Sequence, residues 1–208
     1  MKKLLFSLVI AAAMLLISLV PAQGLAETTK EASPKNRNAK GEMLHVVKKD
    51  ENVTDIAIHY GVPLPDLIKK NKIKDQKINE GDVLVLPKTL TSQEKDLMAR
   101  LVHAEAKGEP YKGKVAVAVV VLNRVDSDKF PNTVTKVINA KGQFSPVANG
   151  SIKKPASAES KKAVNEAIAL QHKGTKATFF YNPDKTNDKW IKSLPVLAKI
   201  GNHTFATS

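Results

Sequence analysis

"MARLVHAEAKGEPYKGKVAVAVVVLNRV", residues 98–125, decides how the second half of this 208-residue chain folds. Around its start, Leu97, Arg100, Leu101, Ala104 and Glu105 recur at helical spacing and share one face. Just upstream, "TSQE" supplies a capping box, with Thr91 reaching forward and Glu94 reaching back. Gly108 then weakens the helix, and Pro110 drives Glu109 out of the α region, so Glu109 reads as a loop residue that organises a turn. The remainder, "KVAVAVVVLNRV" over 114–125, is ambiguous by propensity. Its valines favour a strand, whereas its length and alanine spacing suit a helix buried on most sides. One residue does not fit simple packing. Glu105 sits near the tail of an apolar stripe, between Ala104 and Ala106.

Downstream, "PNTVTKVIN" and "SAESKKAVNEAIALQ" read as helices, and "ATFFYNP" as an extended segment ended by Pro183. Upstream, "MLHVVKKDENVTDIAIHYGVPLPDLIKKNKIKDQKINEGDVLVLP", residues 43–87, is a separate compact stretch. "LHVV" and "VLVLP" read as strands. Val53, Ile56 and Ala57 fall at helical spacing before Gly61, and a second helix spans about Pro65 to Asn71 with Leu64, Leu67 and Ile68 on one side. The order is strand, helix, helix, strand. These residues resemble the LysM domain, whose pattern stands here as His45-x-Val47, Val53-x-x-Ile56-Ala57, Gly61, Leu67, Asn71, Ile78, Gly81 and Leu84-x-Leu86-Pro87. The resemblance implies binding to glycans that contain N-acetylglucosamine, such as peptidoglycan. There is one departure: the family's Gly-Asp-Thr in the first loop, beside the glycan groove, is Asp50-Glu51-Asn52 here.

Ahead of this domain, residues 27–42 lack any large apolar residue and read as a disordered linker. Residues 1–26 combine a cationic "MKK", an apolar run and small residues before Glu27, the pattern of a secretory signal peptide. An uncleaved anchor is the alternative, the only membrane contact foreseen. The chain is expected to work outside the cytoplasm. Its net charge of +13 comes mostly from scattered lysines, which suits anionic wall polymers as partners better than a nucleic-acid site.

A glycan-binding module beside residues 92–208 suggests an enzyme of the cell wall, and the residue inventory excludes most routes. No cysteine is present, which removes thiol nucleophiles and thiolate metal sites. The histidines at 45, 59, 103, 172 and 203 form neither His-x-His nor His-Glu-x-x-His, so no metal and no cofactor is expected. "SQEK" and "SIKK" match Ser-x-x-Lys, but without the companion motifs of serine acyl transfer. Glycosidic cleavage remains. It needs a carboxyl kept protonated near neutral pH, and desolvation on an apolar helix face supplies that. From position alone Glu105 fits this role and a surface role beside Lys107 equally well.

The blocks "MARLVHAEAKGEPYKGKVAVAVVVLNRV", "FPNTVTKVI", "GQFSPV", "FFYNP" and "IGNHTF" together resemble the SleB/CwlJ family of bacterial cell-wall hydrolases, which includes spore cortex-lytic enzymes. That resemblance implies an α+β chain: a small βααβ domain, then a mainly helical catalytic domain related to lysozyme-like lytic transglycosylases. It implies that 114–125 is a helix and that Glu105 is the general acid. Gln143, Phe144, Ser145, Tyr181 and Asn182 are the candidates for substrate binding, with Trp190 or His203 adding to the rim. His103, Asn123 and Arg124 read as structural, and nothing fixes Asp126 or Asp128 near Glu105. The expected substrate is the MurNAc–GlcNAc bond of peptidoglycan strands, in vegetative wall or spore cortex, cleaved as a lytic transglycosylase. A hydrolytic muramidase and a non-catalytic wall-binding protein are the alternatives.

Overall fold

The computed structural model describes residues 36–171 and 173–208. The expected signal peptide and residues 27–35 of the expected linker lie outside them. Residues 36–42 form an ordered turn rather than a free tether. The Asn38 side chain accepts from the Lys40 and Glu42 amides, and Glu42 pairs with Lys70 at 2.8 Å. Polar contacts order this turn without the apolar burial whose absence suggested a linker. No helix among the described residues is long and apolar enough to cross a membrane.

The first half is the expected βααβ unit. β1 (Leu44–Val46) pairs antiparallel with β2 (Val83–Val85), with His45 opposite Leu84. α1 (Val53–Tyr60) starts at Asn52, whose side chain accepts from the Asp55 amide. It ends at Gly61, held at φ +56°. Only glycine fits there, because a Cβ would run into the Asn165 side-chain oxygen as well as straining the backbone. α2 (Leu64–Asn71) begins one residue before the expected Pro65. Asn71 at its end ties helix to strand: its amide donates to the Leu67 and Val85 carbonyls, and its oxygen accepts from the Val85 N–H. Val47, Ile56, Leu64, Leu67, Leu84 and Leu86 fill the core between these elements.

The departure in the first loop has local work to do. Glu51 accepts from the Lys48 amide at 2.8 Å and pairs with His45 at 2.7 Å. Asn52 caps α1, and Asp50 takes φ +63°, a conformation Asp tolerates better than most residues.

The second half is mainly helical. α3 (Ser92–Ala106) opens with the expected capping box at Thr91 and Glu94 and stops before Gly108. α4 (Tyr111–Val125) is a helix despite its valines. Val117, Val120 and Val121 are wholly buried, and α3, α5 (Val134–Asn139) and α7 (Ala158–Ala169) all pack on it. Burial of each such side chain is worth about 1.5–3 kcal/mol, far more than the few tenths by which valine disfavours a helix. Then come α5 (Val134–Asn139), the short α6 (Ser145–Ala148) and α7 (Ala158–Ala169). β3 (Phe179–Tyr181), α8 (Lys189–Ser193), β4 (Val196–Ile200) and β5 (His203–Ala206) complete the chain. Their sheet is antiparallel in the order β3-β5-β4, with all of β5 buried at its centre.

α7 serves both halves. It packs on α3 and α4 in one core and on α1 in the other, where Ala169 and Leu170 join the βααβ residues. Three hydrogen bonds fix the seam: Lys95 Nζ to the Tyr60 carbonyl at 2.7 Å, Asn165 Nδ2 to the His59 carbonyl at 3.1 Å, and Thr89 Oγ1 to the Gly61 carbonyl at 2.8 Å.

Candidate active site

The C-terminal turn of α3 delivers Glu105 to a cleft. Two cavities meet at its side chain. The larger, about 820 Å³, runs past Glu109, Tyr181, Asn182, Asn202 and His203. The smaller, about 330 Å³, runs past Gln143, Phe144 and Trp190. Glu105, Ser145 and Phe180 border both. Burial pushes the Glu105 carboxyl above its ordinary value, because a carboxylate loses hydration there while the neutral acid loses little. Among the described residues it makes no hydrogen bond or ion pair, Lys107 included. It is a carboxyl biased towards its protonated form and open to a ligand.

Glu109 lines the larger cavity but lies in the opposite state. The helix has ended, and the Glu109 amide bonds only to the Ala106 carbonyl. Its carboxylate accepts from the Asn202 N–H at 2.8 Å and from Asn202 Nδ2 at 3.1 Å. Burial acts to raise its pKa, but those two bonds, with His203 and Lys185 nearby, hold it below the ordinary value. The β4–β5 turn is shaped around this contact. Gly201 sits at φ +58°, and a Cβ there would meet Glu109 Oε2.

Each sequence-derived candidate reaches the cleft. Ser145 stands between the two cavities at the start of α6. Gln143 is exposed and accepts from Arg124 Nη1 at 3.1 Å. Phe144 is only 4 % exposed. Its ring stacks with Phe180 at 6.4 Å and lies 5.0 Å from the Arg124 guanidinium, so it forms part of the cleft wall more than an open platform. The Asn182 side chain accepts from the Asp184 amide, ordering the loop after β3. Trp190, 56 % exposed, stands edge-on to Phe179 at the mouth of the smaller cavity.

His203 is 8 % exposed and borders the larger cavity. Its Nδ1 is buried without a hydrogen-bond partner. Burial, aided by Lys185 and opposed by Glu109, lowers its pKa, so the ring is held neutral. An N–H left unpaired in that buried position would be costly. The favoured tautomer therefore carries its proton on Nε2.

Of the residues read as structural, Asn123 and Arg124 hold backbone carbonyls, and Arg124 also borders the smaller cavity. Asn123 donates to the Thr175 and Ala177 carbonyls, and Arg124 Nε to the Thr178 carbonyl. These bonds anchor the approach to β3. His103, Asp126 and Asp128 line neither cavity, and Asp126 accepts from Gln171. Sequence reasoning missed Phe180, although it lay within a quoted block. It also missed the pairing of Asn202 with Glu109, for which no local signal exists across 93 positions. Lys185 and Thr186 in the cleft are ordinary loop residues in sequence. Among the described residues no cluster of three His, Cys, Asp or Glu side chains is arranged to hold a metal ion. The βααβ unit carries a cavity of its own, about 520 Å³, between the end of α2 and β2.

Two family models match separate parts of the chain. Residues 108–206 match the family model described as Cell Wall Hydrolase, and residues 45–87 match the LysM domain. The first match begins just past Glu105. The spore cortex-lytic enzyme of Bacillus cereus is 43 % identical over 120 residues, which is 58 % of this chain and 46 % of that protein. That of Bacillus subtilis is 38 % identical over 120 residues, covering 58 % and 39 %. The chain thus spans less than half the length of these relatives. Among solved structures, the catalytic domain of the germination-specific lytic transglycosylase SleB from Bacillus anthracis is similar with a TM-score of 0.54. Identity is 43 %, over 58 % of this chain and 99 % of that one.

Proposed function

This chain belongs to the SleB-like cell wall hydrolases and carries a LysM domain over residues 45–87; from that premise we propose that it cleaves the MurNAc–GlcNAc bond of peptidoglycan as a lytic transglycosylase, outside the cytoplasm. The observation that carries the reading is Glu105: a carboxyl pushed towards its neutral form by burial, unpaired, at the meeting point of two cavities. A glycan strand laid along both cavities would put one sugar on each side of it.

In this mechanism Glu105 donates its proton to the glycosidic oxygen as the C1–O bond breaks. The resulting carboxylate then takes the proton of the muramyl C6 hydroxyl while that oxygen bonds to C1. Glu105 ends protonated, as it began, and the product is a 1,6-anhydro sugar. The chain supplies the rest by position. Tyr181, Asn182 and Gln143 offer polar groups to hydroxyls and acetamides, and Trp190 offers an apolar face to a sugar ring. His203 offers an Nε2–H donor from a neutral ring. The LysM domain would hold the insoluble polymer while the cleft works.

One observation favours the hydrolytic alternative. Glu109, kept ionised in the same cleft, has the charge state of a base that would activate water. Mass analysis of purified sacculi digested by the protein separates the readings. Ends in 1,6-anhydromuramic acid support the transglycosylase, and reducing muramic ends replace it with a muramidase. Intact sacculi and intact soluble strands would overturn the enzymatic reading.

A further inference from the structure

A cavity of about 360 Å³ lies at the seam between the two halves, away from Glu105. Four segments build it: the turn at 37–43, the βααβ unit, the connector at 88–90 and the start of α3. Its floor is apolar, with Val62, Leu86 and Leu90. Its polar groups are mostly cationic: Arg37, Lys40, Lys70, Lys88 and Lys95, against one carboxylate, Glu42. Glu42 is taken up by Lys70 at 2.8 Å. Arg37 reaches only the Gly41 carbonyl, and Lys95 only the Tyr60 carbonyl. Lys40 shares the Glu42 carboxylate with Lys70, and among the described residues the Lys88 ammonium group has no partner. Three cations, Arg37, Lys88 and Lys95, thus face one cavity without a counter-charge.

Lys95 is the one that demands explanation. A lysine has three donors, and this one spends a single N–H on a neutral carbonyl while most of it is withdrawn from water. Burial alone, unrelieved by any carboxylate, pushes its pKa down to about 8. Groups of this kind are ordinarily paired. An anion in the cavity would supply the pairing.

We propose that this seam cavity binds a carboxylate-bearing stem peptide of peptidoglycan, its carboxylates against Lys95, Lys88 and their neighbours and its small apolar side chains on the Val62–Leu86–Leu90 floor. This deepens the proposed function and rests on it for the identity of the polymer. A volume near the lower end of ligand sites suits a peptide of two or three residues. The apolar floor favours a peptide over a polyol phosphate polymer, which has nothing to place there. Because the seam joins the LysM domain to α3, a strand held by its peptide at this point is held by both halves at once.

The test is calorimetric titration of the full chain with the free tripeptide L-alanyl-γ-D-glutamyl-diaminopimelate at physiological ionic strength, where attraction beyond roughly 8 Å is largely screened and direct contacts remain. The expected result is saturable binding that Lys88→Glu weakens at least tenfold. The Lys88 side chain is exposed and belongs to neither core, so this variant should melt like the parent. Lys95→Met should weaken binding too. Cleavage of soluble glycan strands lacking peptides should be unchanged in Lys88→Glu, and that readout fails only if the catalytic reading fails. No binding to the parent, or equal binding to parent and Lys88→Glu, would overturn the proposal. So would Lys88-dependent binding of a glycerol phosphate polymer without binding of the tripeptide.

Discussion

Glu105 and Glu109 border one cavity four residues apart, yet their carboxyls are driven in opposite directions. On an unbroken helix they would be neighbours on one face. Here α3 stops at Ala106, and Asn202 from the β4–β5 turn captures Glu109. Burial raises the Glu105 pKa, while hydrogen bonds keep Glu109 ionised. Opposed environments of this kind assign acid and anion to different residues. Glu105→Gln is expected to lower turnover of soluble strands by about two to four orders of magnitude, read by release of new glycan ends. Glu109→Gln should cost much less in the transglycosylase mechanism. An equal loss in both variants would indicate a two-carboxylate reaction.

The same environment makes a stability prediction. A carboxyl whose pKa is raised by folding favours the native state below its unfolded pKa, and the benefit disappears as pH rises through the folded value. At neutral pH Glu105 is therefore a burden on the fold. Glu105→Gln should melt at a higher temperature than the parent at pH 7–8, and the difference should vanish near pH 4. An unchanged melting curve at both pH values would mean that Glu105 is not desolvated.

Gly201 tests how the β4–β5 turn supports the site. At φ +58° an added Cβ collides with Glu109 Oε2 and Pro110. Gly201→Ala should cost on the order of 1–3 kcal/mol in unfolding experiments. It should also reduce activity by moving Asn202 and His203, which border the cleft. Normal stability together with normal activity would contradict this account.

Lys95 should leave a signature above neutrality. Its folded pKa, about 8, lies below the ordinary lysine value, so between about pH 8 and 10.5 the unfolded chain binds more protons than the native one. Stability contributed at this position therefore rises with pH across that window. The melting temperature of the parent should gain on that of Lys95→Met from pH 7 to pH 10. Parallel pH profiles would show that the Lys95 pKa is not lowered.

Removal of residues 43–87 tests the seam between the halves. The LysM domain covers Ala169 and Leu170 and supplies the carbonyls of His59, Tyr60 and Gly61 to Asn165, Lys95 and Thr89. The truncated protein should bind insoluble peptidoglycan less well and also melt at a lower temperature. Retention equal to that of the full chain in high salt would remove the LysM domain from the binding account.

Local sequence rules determined much of this protein. The apolar spacing around Val53 and Ile56, the left-handed stop at Gly61, the capping box at Thr91 and the break at Gly108 act over a few residues, so each is legible in the chain itself. Tertiary structure decided the rest. The 114–125 stretch is locally undecided, and burial on most sides by α3, α5 and α7 made it a helix. The β4–β5 hairpin gave no strong strand signal, because β5 is buried on both faces and β4 is largely exposed, so neither alternates. The charge states of Glu105 and Glu109 depend on distant partners. Burial of one, and capture of the other by Asn202, 93 positions away, exist only once α3 and the sheet have packed, and no window of sequence contains that environment.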